Sequence, residues 1–303
     1  MTAIQVFLQQ LANGLTLGAI YALIALGYTM VYGVIQLINF AHGEIFMVGA
    51  YAVLTVLLAS RGAAAGAWGL WLVIGLAVSM TVCGALGWGV ERVAYRPIRR
   101  GPRLNALITA IGLSLFLQNA LMLLYGATDR QVPALIPAVR WDVGGVTLTA
   151  LQVMVWVTSL LLTVGLQALV MSTKLGMAMR ATAQDPKACA LLGIPVDRII
   201  AVTFVIGSAL AAVGGLLFGC TYGTINFHDG YAVGLKAFTA AVLGGIGNIP
   251  GAVVGGLLLG LLEGLGAGYL SAQWKNVFAF VVLVVLLLCK PTGLLGERVA
   301  DRA

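Results

Sequence analysis

Apolar residues in this chain come in long, nearly unbroken runs separated by short polar stretches, with no strict alternation of the kind a half-buried strand shows. Most runs are close to the roughly 20 residues that carry a helix across a bilayer core, and they are rich in Ala, Leu and Gly. The pattern predicts helices over Val6 to Val31, Glu44 to Ala59, Ala67 to Val90, Leu104 to Tyr125 and Leu151 to Ser172. The second half adds Ile199 to Tyr222, Val233 to Gly247, Gly251 to Leu270 and Val277 to Cys289. Three of these have only about 13 to 16 residues, roughly 20 to 24 Å of helix against a core of ~30 Å. That is the length of a half-helix that enters the membrane and turns back. The expected fold is all-α: one polytopic transmembrane domain over residues 1–303, with about eight or nine spans and broken or re-entrant helices.

One polar island interrupts the pattern, Lys174 to Arg198, reading KLGMAMRATAQDPKACALLGIPVDR. It contains two short helix signals. In the second, Asp185 is a natural N-cap and Pro186 suits the first helical position, where no amide partner is needed. Lys187 to Leu192 continue the turn, and Gly193 followed by Pro195 stops it. Ala188, Leu191 and Leu192 share a face, with Lys187 and Arg198 as flanking charges. Two readings fit: a capped helix seated in the groove of a nucleotide-binding subunit, or an amphipathic linker resting on lipid headgroups. The length of the segment and its two successive helix signals favour the first.

Composition narrows the class. The chain has 303 residues, 61% hydrophobic and 9% charged, with a mean hydropathy of +1.03, whereas a soluble domain carries about a quarter charged residues. In lipid every backbone polar group needs an internal partner, which leaves helices or a closed barrel, and the run lengths select helices. The net charge of +7 sits mainly in loops, the positive-inside pattern, so nucleic acid is excluded as a partner. Glu91 to Arg103 carries Arg92, Arg96, Arg99, Arg100 and Arg103 against Glu91 alone. That stretch, the island, and the tail with Lys290, Glu297, Arg298, Asp301 and Arg302 belong in the cytoplasm. Tyr125 to Ala150 is balanced, with Asp129, Arg130, Arg140, Asp142, Pro133 and Pro137, and belongs outside. No Lys or Arg precedes Arg61, so the N-terminus is also placed outside, and no cleavable signal is visible.

Little in the chain points to chemistry. No GxxxxGK[ST] loop, nucleophile elbow, HExxH or CxxC occurs, so neither a catalytic centre nor a metal site is expected. Cys83, Cys189, Cys220 and Cys289 are scattered and read as packing residues. Ionisable and amide side chains within apolar segments are the functional candidates: Asn39, His42 and Glu44 at the first break, Asn226 at a later one, with Lys236, Glu263 and Gln118-Asn119 besides. Glu44 also has a simpler role at a positive helix start, and Lys236 a simpler one in snorkelling to the outer interface. A path for neutral or zwitterionic solutes suits this set better than a proton relay. An internal echo joins Ile38-Asn39-Phe40 after Tyr32-Gly33 to Ile225-Asn226-Phe227 after Tyr222-Gly223, the mark of duplicated halves in transporters or else chance. The glycines of LGGIGNIPGAVVGG suit close helix packing, with a break at Asn248 to Pro250.

GLTLGAIYALIALGYTMVYGVIQLINFAHGEIFMVGAY (Gly14 to Tyr51), ERVAYRPIR (Glu91 to Arg99), the island, and KAFTAAVLGGIGNIPGAVVGG (Lys236 to Gly256) together resemble the LivH-type permease of the branched-chain amino acid ABC transporter family, nearly end to end. The resemblance implies a multi-pass permease of a bacterial inner-membrane importer. Its partners would be two ATP-binding subunits, a second related permease and a periplasmic solute-binding protein. ATP would be hydrolysed by those subunits, with no cofactor bound by this chain. By resemblance Gly176 to Ile194 is the coupling segment, with Gly176, Arg180, Asp185, Pro186, Lys187, Leu191, Leu192 and Gly193 docking on an ATPase subunit. Related permeases carry urea, short amides or other neutral amino acids, so the solute stays open at this point. An ion-coupled secondary transporter would instead need buried carboxylates in its path, and a passive channel would conduct without ATP.

Overall fold

Two of the long helices begin with a capping box that satisfies their free amides. In α1 (Ala3–Ile35) the Thr2 hydroxyl accepts from Gln5 N while the Gln5 side chain accepts from Thr2 N, a capping box. Thr149 and Gln152 repeat it at α5 (Ala150–Ser172). The computed structural model describes residues 2–60, 68–99, 101–133, 136, 139–269, 271, 274–290 and 292–296. The expectations attached to Arg61, Ala67, Arg100, Pro137, Leu270, Glu297, Arg298, Asp301 and Arg302 lie outside the described residues.

The remaining helices are α2 (His42–Ala59), α3 (Trp68–Gly89), α4 (Arg103–Tyr125), α6 (Lys174–Gln184), α7 (Pro186–Leu191), α8 (Val196–Tyr222), α9 (Asp229–Gly244), α10 (Ile249–Tyr269) and α11 (Lys275–Cys289). Among the described residues a helix lies at each of the nine expected places. Their ends differ where caps outweigh hydropathy. The first runs on to Ile35, and the seventh starts at Asp229 and stops at Gly244. The third continues as a π-helical turn, Val90–Tyr95, which hydropathy does not reveal. Among the described residues seven helices are long and apolar enough to cross a membrane; α9, with 16 residues, and α11, with 15, are shorter. Short strands β1 (Arg130–Gln131), β2 (Arg140–Val143), β3 (Val146–Thr149) and β4 (Thr224–Ile225) form a β2–β3 hairpin and an antiparallel β1–β4 pair.

Every residue from Gly18 to Val31 in α1 and from Leu210 to Gly219 in α8 is buried, so these helices form the centre. Along one side α1 packs antiparallel to α10 through Gly14, Gly18 and Ala22 facing Gly264, Gly260 and Gly256, small residues one turn apart that bring the backbones together. On the periphery, Leu104, Ile108, Ile111, Leu115 and Phe116 of α4 are exposed and suit contact with acyl chains.

Gln5 donates to the Gly144 carbonyl at 3.2 Å and Gln9 to that of Thr147 at 3.1 Å, so the start of α1 and the hairpin share one end of the bundle. The β1–β4 pair adds the ends of α4 and α8 to it. At the opposite end Arg96 and Arg99 both donate to Asp197, Arg99 also reaches Glu91 at 3.1 Å, and Arg180 lies beside the end of α5. The Glu91 to Arg99 stretch and the island, both expected on the cytoplasmic side, thus gather at one end and the balanced loop at the other.

The internal echo has a structural counterpart. Ile38-Asn39-Phe40 and Ile225-Asn226-Phe227 each fill the break between a long helix and a shorter one. The shorter helices start facing each other: a Cβ on Gly43 would lie 2.8 Å from Gly234 Cα and run into the Gly230 carbonyl oxygen. His42 sits against Gly27, about two turns before the end of α1, so α2 starts inside the bundle rather than at its end.

Candidate functional site

At the arginine-rich end of the bundle, taken as the inner end with the hairpin end as the outer one, the island folds into α6 and α7. The Thr173 hydroxyl caps α6 by accepting from Gly176 N at 3.0 Å. Any side chain on Gly176 would strike the Val170 and Leu169 carbonyl oxygens, so glycine lets α6 fold back on α5. Arg180 donates to the Val170 carbonyl and lies 3.5 Å from Met171 Sδ. Gly176 and Arg180 therefore fasten the segment to its own chain rather than face outward. Asp185 caps α7, accepting from Lys187 N at 2.8 Å and Ala188 N at 3.0 Å, with Pro186 at the first position. Gly193 ends the helix at φ +80°. Leu191 is 90% and Leu192 80% exposed, and Lys187 and Ala188 are exposed beside them. Leaving two leucines that bare at a polar end loses the benefit of burial, about 1.5–3 kcal/mol each when fully covered.

In the interior, Asn39, His42 and Glu44 are each at most 2% exposed, yet they point three ways. Asn39 accepts from the Tyr95 hydroxyl at 3.1 Å, next to the π-helical turn. His42 stacks edge-on with Tyr28 at 4.8 Å. Glu44 stands in the first turn of α2, where the helix dipole favours it, and accepts from Ser114 at 3.2 Å. Glu44 Oε2 and Asn39 Nδ2 have no hydrogen-bond partner among the described residues. Asn226 is not with them. It lies at the outer break, donating to Asp129 at 2.6 Å, while its side-chain oxygen accepts from His228 N and its own N–H donates to Asp229.

Lys236 does not snorkel. Its residue is 9% exposed and its ammonium lies 2.6 Å from Glu263, which is fully buried and also accepts from the Tyr21 hydroxyl at 2.7 Å. Pairing with Glu263 on α10 replaces the expected outward reach. Gln118 meets His228 at 2.9 Å, and Asn119 bonds back to its own helix.

Cavities lie towards both ends of the bundle. An outer one of about 510 Å³ lies between the first half of α1 and the start of α5, bordered by Asn13, Thr16 and Gln152. An inner one of about 520 Å³ lies between α1, α5, α6 and the start of α10, bordered by Gln36, Gln167, Arg180 and Asn248. Between them along the helices, Leu23 and Leu26 of α1 and Val155 of α5 are fully buried. One wall of the inner cavity is α6 itself, through Met179, Arg180 and Ala183. The segment that ends in two bare leucines is therefore also part of a cavity wall. Sequence reasoning picked out the leucines; it could not see the wall, which forms from four separate elements.

A family model described as the branched-chain amino acid transport system permease component matches residues 10–287. The chain is 48% identical over 301 residues to the high-affinity branched-chain amino acid transport system permease protein LivH of Escherichia coli (strain K12), covering 98% of this chain and 97% of that one. It is 48% identical over 308 residues to the corresponding BraD of Pseudomonas aeruginosa, covering 100% of both chains. A probable LivH of Methanocaldococcus jannaschii is 27% identical over 291 residues, covering 90% of this chain and 88% of that one. No solved structure matches.

Proposed function

This chain belongs to the family of branched-chain amino acid transport permease components, and from that premise we propose that α6 and α7 are the lever by which ATP-hydrolysing subunits move it. The chain is the membrane-spanning permease of an ATP-driven importer, a transport family rather than an enzyme family. It works in the inner membrane, with ATP-binding subunits and a solute-binding protein. We assign branched-chain or other neutral amino acids as solute, on the printed names of relatives that match end to end. Two ATPase subunits and a second, related permease complete the assembly, and ATP is bound by the partners alone. Including the short helices α9 and α11, the chain enters the membrane nine times.

The observation that carries the reading is the double role of the island. Leu191 and Leu192 stand almost fully bare on a capped helix, and α6, on the same segment, walls the inner cavity. A partner that grips α7 moves that wall directly. Gly176 and Arg180 serve the lever by clamping its base to α5, while Asp185, Pro186 and Gly193 give α7 fixed ends. Glu44 Oε2, without a hydrogen-bond partner among the described residues, lies where α2 and α9 abut, and repacking there would expose it, with Asn39 and His42 at the same break, to a passing solute.

The test is reconstitution. Co-expressed with its ATPase and permease partners and placed in liposomes with loaded binding protein, the chain should accumulate leucine with ATP, lose uptake with vanadate and keep it with a protonophore. Uptake that survives vanadate and stops with the protonophore would favour an ion-coupled transporter. Downhill flux by the chain alone would show a passive channel.

A further inference from the structure

A smaller outer cavity of about 270 Å³ lies beside the break between α8 and α9. Its wall mixes both signs of charge with aromatic and aliphatic surface. Asp229, Val233 and Lys236 sit three to four residues apart on one face of α9, so an acid at the mouth and a base about two turns deeper border the same space. Asp129 stands at the mouth as well, and Tyr21 and Phe218 complete the lining named here.

The charges are unevenly matched. Lys236 is held by Glu263, with its ammonium 5.9 Å from the Tyr21 ring centre. Asp129 and Asp229 form no ion pair among the described residues; each only accepts a hydrogen bond from Asn226. Two carboxylates bridged by the backbone and side-chain N–H groups of one asparagine, with no ion-pairing cation among the described residues, attract an ammonium group. A ligand that brings an ammonium and a carboxylate together can answer the acids at the mouth and the lysine below, and its aliphatic side chain finds Phe218 and Val233.

We propose that this cavity is a receiving site for the zwitterionic backbone of an α-amino acid entering from outside, with Asp129 and Asp229 taking the ammonium and Lys236 the carboxylate. The site rests on the importer reading above and adds to it a recognition step within the permease itself. Lys236 is then shared between Glu263 and the solute, and solute binding competes with the link from α9 to α10.

The assembled complex in proteoliposomes, given leucine-loaded binding protein and ATP, provides the test. Asp229→Asn keeps an oxygen to accept from Asn226 N but removes the charge. It should melt with the wild type and slow leucine uptake roughly tenfold to a hundredfold, the worth of a charge-assisted hydrogen bond. The exchange Lys236→Glu with Glu263→Lys keeps an ion pair between α9 and α10 while inverting the sign facing the cavity. If the pair is only structural, the exchange restores uptake; if Lys236 receives the solute, the complex assembles and uptake stays lost. Wild-type uptake rates in both variants would overturn the receiving site while leaving the importer intact. Should the exchanged pair fail to assemble, the Asp229→Asn rate decides alone. A wild-type complex that moves no neutral amino acid would defeat the importer reading itself, and this site with it.

Discussion

A methyl group on Gly43 would sit between the backbones of Gly230 and Gly234, where neither neighbour has a flexible side chain to swing away. Gly43→Ala should therefore push the starts of α2 and α9 apart and destabilise the purified complex by about 1–3 kcal/mol. Gly112→Ala, with nothing within 4 Å of the new methyl, is the matched control and should melt unchanged. Glu263→Ala should cost more, about 3–5 kcal/mol, because it leaves the Lys236 ammonium buried without its partner. Both follow by thermal denaturation in detergent. The sequence marks Lys236 and Glu263 as ionisable groups inside apolar runs, but not as a pair, because pairing needs α9 and α10 side by side. It likewise marks Asn39, His42 and Glu44 as neighbours, although each side chain turns towards a different helix.

Among the elements, α7 is the one most fully written in local code: Asp185, Pro186 and Gly193 predict its start and stop, and the structure places both there. Asp185→Ala should loosen the cap by about 1 kcal/mol. The expected readout is faster amide exchange over residues 187–192, with the membrane helices unchanged. The π-helical turn and the β1–β4 pair were not legible. A π turn leaves no mark on hydropathy, and strands of two residues are set by the ends of α4 and α8 meeting. Hydropathy placed the breaks but not their edges: α9 starts at Asp229, whose carboxylate accepts from Asn226 N in a local turn inside an apolar stretch.

At the scale of the whole molecule, charge bias and structure agree on two ends, one with the Arg96–Arg99–Asp197 cluster and the island, the other with the β2–β3 hairpin. Leu191→Cys should react with an impermeant thiol reagent only from the cytoplasmic side and Trp141→Cys only from outside, and the reverse result would invert the topology. The central claim is that bare leucines on α7 transmit the work of ATP hydrolysis to the cavity wall formed by α6. Leu191→Asp with Leu192→Asp changes two exposed positions and leaves the caps and buried contacts alone. The most direct test is ATP-dependent leucine uptake by the reconstituted complex carrying this double variant. The account predicts an inserted permease with uptake near background; uptake at the wild-type rate would contradict it.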